Sequence, residues 1–219
     1  MSVQNGYGWT SLHLASENGH VDLARMLVES SADVSAQNGV GWTALHLALE
    51  NGHVDLARML IEHGADVSAQ NNHGWTALHL ASENGHVDLT EMLVECGADV
   101  SAQNNHGSTA LHLASLNGHV DLARMLIQRR TNVSAQNDDG WTALHLASRD
   151  GHQDLALMLV ERGADVSVQN RYGWTALHLA LENGHAVLAR MIAEHGTDMA
   201  PQTASQITTT TTCVRAWTR

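Results

Sequence analysis

The chain has 219 residues, of which 43% are hydrophobic, enough to bury a continuous core and to exclude wholesale disorder. Its formal net charge of −12, from 23 acidic against 11 basic residues, would repel a phosphate backbone, and Arg129-Arg130 is the largest basic cluster. Direct nucleic-acid binding is therefore excluded from the reading, and no unbroken apolar run reaches membrane-spanning length.

The apolar residues are chosen unevenly. Phe is absent, Tyr occurs twice, Pro only at Pro201, and every basic residue is Arg. Gaps of this kind arise when one short unit is copied many times. The N-terminus, Met-Ser-Val-Gln-Asn-Gly-Tyr, lacks the basic start and apolar stretch of a signal peptide. Cys96 and Cys213 make no disulfide framework, so a cytoplasmic or nuclear setting is expected. The sequon Asn132-Val133-Ser134 is accordingly read as chance.

In chain order, Ser2-Val3-Gln4-Asn5 matches Ser167-Val168-Gln169-Asn170, so the chain opens partway through a pattern. The run Gly-Trp-Thr-Ala-Leu-His-Leu-Ala begins at Gly41 and returns at Gly74, Gly140 and Gly173, with variants at Gly8 and Gly107. Neighbouring starts are always 33 residues apart. A fixed period means one supersecondary unit stacked in a line.

The second unit shows the logic. Thr43 is placed to cap a short helix in which Leu45 and Ala48 share a face, and Gly52 ends it. A second helix follows, with Leu56, Met59 and Leu60 in an i, i+3, i+4 stripe, Asp55 in its first turn and Gly64 at its end. The stretch from Ala65 to Gly74 is polar and turn-rich, an extended finger leading to the next unit. Neither helix buries its stripe alone; stacking buries all of them together.

The run Thr-Ala-Leu-His-Leu-Ala, then Gly-His, then Gly-Ala-Asp-Val, at a period of 33, resembles the ankyrin repeat. The likeness covers Asn5 to about Met199, as six repeats starting near residues 5, 38, 71, 104, 137 and 170. It implies an all-α, ankyrin-repeat solenoid of stacked antiparallel helix pairs with projecting β-hairpin-like fingers. It also implies a non-catalytic scaffold or adaptor that binds a protein through its concave face and finger tips. The expected division is an array over 1–200 and a polar, disordered tail over 201–219, in which Trp217 is not expected to dock.

Two departures from the family pattern stand out. Ala44, Ala77, Ala110, Ala143 and Ala176, with Ser11, occupy the family's Pro position, at roughly 0.4–1 kcal/mol per site. Ser35, Ser68, Ser101, Ser134 and Ser167 replace its Asn, which removes the target of asparagine-directed modification.

Sixteen histidines raise the question of a metal. His13, His46, His79, His112, His145 and His178 form one set, which the resemblance assigns to tying a finger to its helix. His20, His53, His86, His119, His152 and His185 follow the interhelical Gly. Equivalent members sit one helix-packing step apart, roughly 8–10 Å, whereas zinc ligands lie about 2 Å from the ion. A structural role is expected, with no metal, no cofactor and no catalytic residues.

Binding candidates are the Trp that follows the finger Gly, namely Trp9, Trp42, Trp75, Trp141 and Trp174, read either as partner anchors or as a packing ladder. Further candidates vary between units: Tyr7, Val40, His73, His106, Asp139 and Tyr172 at finger tips, Leu116 and Arg149 at first-helix ends. His73 and His106 also carry a pH-sensitive reading. The fourth unit has Ser108 for Trp, and Arg130 where Gly is usual, read either as a weak junction costing about 1–2 kcal/mol if the left-handed geometry is kept or as a specialised contact site. With Leu12, Leu23, Met26 and Leu27 on an uncapped first unit, one core edge is expected to be exposed. A longer array, within a larger regulatory or receptor-like protein whose activity lies in another domain, or end-to-end self-association would follow. An enzyme built on the groove is the third and weakest reading.

Overall fold

The computed structural model describes residues 3–199; the tail with Pro201, Cys213 and Trp217 lies outside the described residues. The chain divides into two compact units, Met1–Asn132 and Val133–Arg219. The first holds α1 (Ser11–Glu17), α2 (Val21–Glu29), α3 (Ala44–Glu50), α4 (Val54–Glu62), α5 (Ala77–Glu83), α6 (Val87–Glu95), α7 (Ala110–Leu116) and α8 (Val120–Gln128). The second holds α9 (Ala143–Arg149), α10 (Gln153–Glu161), α11 (Ala176–Glu182) and α12 (Ala186–Met199). All elements among the described residues are helical, and the fingers are turns without strands.

Each helix pair follows from its own residues. Thr43 sits in extended backbone ahead of α3, and its hydroxyl accepts the His46 N–H. Leu45, Ala48 and Leu49 of α3 and Leu56, Ala57, Met59 and Leu60 of α4 are buried. Within the first unit α1, α3, α5 and α7 pack in sequence, with α2, α4, α6 and α8 in a second layer. In the second unit α9 packs on α11 and α10 on α12.

The first pair carries the exposed edge. Leu23 and Met26 of α2 are 46% and 64% exposed, whereas their equivalents Leu56 and Met59 are 0% and 2% exposed. Leu14 is also exposed, while Leu12 stays buried and Leu27 half-buried. Helix α12 runs on through Gly196, although the equivalent Gly64, Gly97 and Gly163 lie just beyond their helices. After those glycines come Ala65, Ala98 and Ala164, all buried under the next turn, whereas Gly196 is followed by Thr197-Asp198.

Among the described residues two non-glycines have positive φ, Ser31 and Arg130, both at 66°. They occupy the position of Gly64, Gly97 and Gly163, whose φ values are 81°, 94° and 88°. A Cβ at any of those glycines would meet no atom within 4 Å, so the cost at Arg130 is backbone strain rather than collision. Thr131 offsets part of it, because its buried hydroxyl donates to the Leu126 carbonyl at 2.7 Å. Ala65, Ala98 and Ala164 satisfy the corresponding carbonyl through their backbone N–H. We expect Arg130→Gly and Ser31→Gly each to raise stability by about 1 kcal/mol, and Thr131→Val to lower it by about 1 kcal/mol. Urea unfolding measures all three; an Arg130→Gly midpoint at or below that of the parent refutes the strain account.

Candidate functional site

The face that carries the candidate residues is assembled by two sets of histidines. His46 reaches in two directions from α3. Its Nδ1 accepts from Thr43, whose hydroxyl lies at 2.8 Å and whose backbone N–H lies at 3.2 Å. Its Nε2 donates to the Trp75 carbonyl, 3.0 Å away, in the next finger. A carbonyl can only accept, so the proton is on Nε2 and the ring is neutral. His13 reaches the Trp42 carbonyl at 2.9 Å, His79 that of Ser108 at 3.0 Å, and His145 that of Trp174 at 3.0 Å. These rings therefore tie the helix cap of one pair to the finger of the following pair, not to its own finger.

The second set points backward. His53 donates from Nε2 to the Glu17 carbonyl at 3.1 Å, and His119 to that of Glu83 at 2.9 Å. Each of these rings lies on the preceding interhelical glycine, so a Cβ at Gly19 or Gly85 would fall 2.7 Å from an imidazole atom. One seam is irregular. Asn84 donates across to the Leu49 carbonyl at 3.2 Å instead of to its own helix, and Nε2 of His86 is buried without a partner.

The fingers are organised by an asparagine. Asn38 is buried, and its Oδ1 accepts the N–H groups of Val40 and Trp42, both at 3.0 Å. Asn71 and Asn104 repeat this in the first unit and Asn170 in the second. Tip carbonyls then bond from finger to finger: Tyr7 accepts from Gly39 at 2.9 Å, Val40 from Asn72 at 3.1 Å and His73 from Asn105 at 2.9 Å. In the second unit Asp139 accepts from Arg171 at 3.0 Å, and their side chains form an ion pair. Gln37 adds a side-chain rung to the Gln70 carbonyl at 2.9 Å. Neither Asn38 nor Gln37 is assigned a role by sequence reasoning, although both recur at the period of 33.

With the backbone of the tips bonded, their side chains project. Tyr7, Val40, His73, His106 and Tyr172 are exposed, and Asp139 is half-buried. Trp9, Trp42, Trp75 and Trp141 are half-buried, and Trp174 is exposed. Trp42 rests on His46 with ring centroids 5.9 Å apart, and Trp9 and Trp75 on His13 and His79 at the same separation. The Trp rings are thus both packed and partly open, so neither the anchor nor the ladder reading is discarded. Leu116 and Arg149 end α7 and α9 and are half-buried. The guanidinium of Arg149 lies over the Trp141 ring, 5.4 Å from its centroid. Its Nε and Nη2 donate side by side to the two carboxylate oxygens of Asp150 at 2.8 Å, which holds that carboxyl below its ordinary pKa.

A family model described as ankyrin repeats (3 copies) matches residues 12–104, 69–137, 92–170 and 131–203. The chain belongs to the ankyrin-repeat family. Ankyrin repeats are in general protein–protein interaction modules. No curated protein matches the chain. Among the described residues no group of three or more His, Cys, Asp or Glu is placed to hold a metal ion, and no helix is long and apolar enough to cross a membrane.

Burial sets the pH response of this ankyrin array. Desolvation lowers the pKa of His13, His79 and His145, and takes that of His46 to about 4 against an ordinary 6.5. A proton on Nδ1 would also face the Thr43 N–H donor. Between pH 6.5 and about 4 the unfolded chain therefore binds more protons than the folded one, so stability is full above 6.5 and is lost as pH falls. For His46 alone the loss by pH 5 is roughly 2 kcal/mol. We expect the urea midpoint to drop between pH 7.5 and 5, and His46→Asn, though less stable throughout, to show a shallower drop. Equal midpoints at the two pH values for the parent chain would contradict this.

Proposed function

We propose that this chain is a non-catalytic scaffold that binds a protein partner through its finger tips and the Trp-bearing face beside its first helices. Each of the six helix pairs serves as one ankyrin repeat, and the array works in the cytoplasm or nucleus. The observation that supports this most is the state of the Trp rings. In the first unit Trp9, Trp42 and Trp75 recur at one period, each fixed against a buried histidine and each half-exposed. Rigid, partly exposed aromatics lose little entropy on binding, and Trp is enriched at interface hot spots. In the first unit the variable tips Tyr7, Val40, His73 and His106 and the helix end Leu116 give this face distinct chemistry, and in the second unit Asp139, Tyr172 and Arg149 do the same beside Trp141 and Trp174. Nucleic acid remains disfavoured by the charge of −12.

The exposed Leu14, Leu23 and Met26 favour a second reading, in which a further helix pair stacks on α1 and α2. That pair would come from a larger regulatory or receptor-like protein whose activity lies in another domain. End-to-end association of two copies would use the same face, and a particle mass that rises with concentration is its mark.

The test of the scaffold reading is capture followed by mass spectrometry, comparing the parent chain with Trp42→Ala/Trp75→Ala/Trp141→Ala. Circular dichroism first establishes that both are folded. Loss of hot-spot Trp residues weakens a complex by about 2 kcal/mol or more each, so a specific partner should vanish from the variant. A folded triple variant that retains the same partner undiminished removes the Trp face from the interface.

A further inference from the structure

We infer that the first unit docks an extended, arginine-bearing segment of its protein partner, with guanidinium groups seated on Trp42 and Trp75 against Glu50 and Glu83. This rests on the scaffold reading above and specifies the chemistry of what is bound.

The chain contains its own example of the contact. In the second unit Trp141 immediately precedes the helix cap Thr142, and Arg149 ends the same helix. The guanidinium of Arg149 covers the indole and is gripped by a carboxylate through two parallel hydrogen bonds of 2.8 Å. The first unit repeats the backbone and the ring. Trp42 precedes the cap Thr43, Trp75 precedes Thr76, and the rings tilt by 60° and 52° on their histidines, against 65° for Trp141. At the helix end, where Arg149 supplies the cation, these pairs carry Glu50 and Glu83 instead, and the first pair carries Glu17 beside Trp9. A carboxylate gains nothing from the negative face of an indole, whereas a guanidinium gains from both. The position that Arg149 fills internally is thereby converted into one that takes an arginine from outside.

Charge supports this assignment. Among the described residues no ion pair engages Glu17, Glu50 or Glu83. Burial, and then the nearby Glu50, raise the pKa of Glu83, as expected of two carboxylates facing each other without a cation. Before Arg124 the only basic side chains besides histidine are Arg25 and Arg58, both exposed on the second helices α2 and α4. The histidines on this face, His13, His46 and His79, are held neutral by burial and compete for neither carboxylate. The fourth pair, with Ser108 and Leu116 in place of Trp and Glu, closes the row.

The spacing of the occupant follows. Neighbouring helix pairs lie roughly 8–10 Å apart, and an extended chain advances about 3.3 Å per residue. Arginine at every third position therefore keeps step with the Trp–Glu pairs. Guanidinium is preferred to ammonium because its plane stacks on indole while its edge forks onto a carboxylate.

The experiment is a fluorescence-anisotropy titration of the full chain with a labelled peptide of four Arg-Gly-Ser triplets. Saturable binding is expected, about two- to fivefold weaker for each Trp–Arg pairing removed. Trp42→Leu/Trp75→Leu and Glu50→Gln/Glu83→Gln should each cost about four- to 25-fold, whereas Glu62→Gln/Glu95→Gln, on exposed ends of α4 and α6, should cost little. In Glu50→Arg/Glu83→Arg the new side chains should cover their own indoles and abolish binding, and a Lys-Gly-Ser peptide should bind more weakly. Thermal melts establish that each variant folds. Equal weakening by the two Gln pairs, which remove the same charge, overturns the proposal, as does no binding by the parent chain. In either case a protein captured by the parent but not by the Trp variants leaves the scaffold reading intact.

Discussion

The bond from a buried imidazole to a carbonyl of the next finger is the interaction on which the rest depends. A helix pair of this length is too short to be stable alone, and the apolar stripes by themselves would allow neighbouring pairs to slide. The His46 ring prevents this, because it is fixed at Nδ1 by the cap of its own helix and bonds Trp75 through Nε2. The backward bond from His53 to Glu17 closes the other side of the same pair. The α3–α4 pair is thus registered to both neighbours by directional contacts, while burial of leucine and alanine supplies the driving force.

The same bond positions the face that carries the candidate binding residues. The carbonyl that His46 holds belongs to Trp75, and the Trp75 ring rests on His79, which in turn holds the next finger. Orientation of the indoles is therefore a by-product of the device that sets the stacking register. This couples the candidate face to protonation state: an array that loses its neutral histidines loses both its register and its aligned aromatic rings. It also explains why Trp recurs nearly unchanged while the tips vary. The ring belongs to the copied scaffold, and the tip side chains, whose backbone is bonded from finger to finger, can change without disturbing it.

Much of this is legible in the residues. Thr43, Gly52 and Gly64 mark the ends of α3 and α4, and the leucine stripes mark the buried faces, because caps, breakers and periodicity are local properties. Arg130 is identifiable as strained because a residue with a side chain stands where its counterparts have glycine. Ser31 has the same 66° φ and the same origin, yet a serine in a polar stretch draws no notice until its backbone is seen. The turn around Asn38 is hidden for a related reason, since asparagine is ordinary in loops and its burial depends on the neighbouring finger. The contact of Arg149 with Trp141 spans a whole helix, and sequence separation alone does not bring the two together.

What repetition does not decide is recognition, and the departures from the repeat are more informative than its consensus. Copying fixes the indole, its histidine and the helix end in one geometry, so a change at that helix end alters the chemistry while the shape is kept. Glutamate there puts a carboxylate at the end of the helix whose cap follows a half-exposed indole. Arginine there satisfies that face from within, and Asp150 neutralises the arginine. Leucine there, beside Ser108 at the Trp position, removes both charge and ring. The same scaffold thus presents three chemically different surfaces through substitutions at the Trp position, at the last residue of the helix and, for Asp150, at the residue after it, while the carbonyls of Ser108 and Arg149 still accept their histidine ties. Stacking register and surface chemistry are set by largely separate side chains, which lets one repeat be copied freely and its surface diversified afterwards.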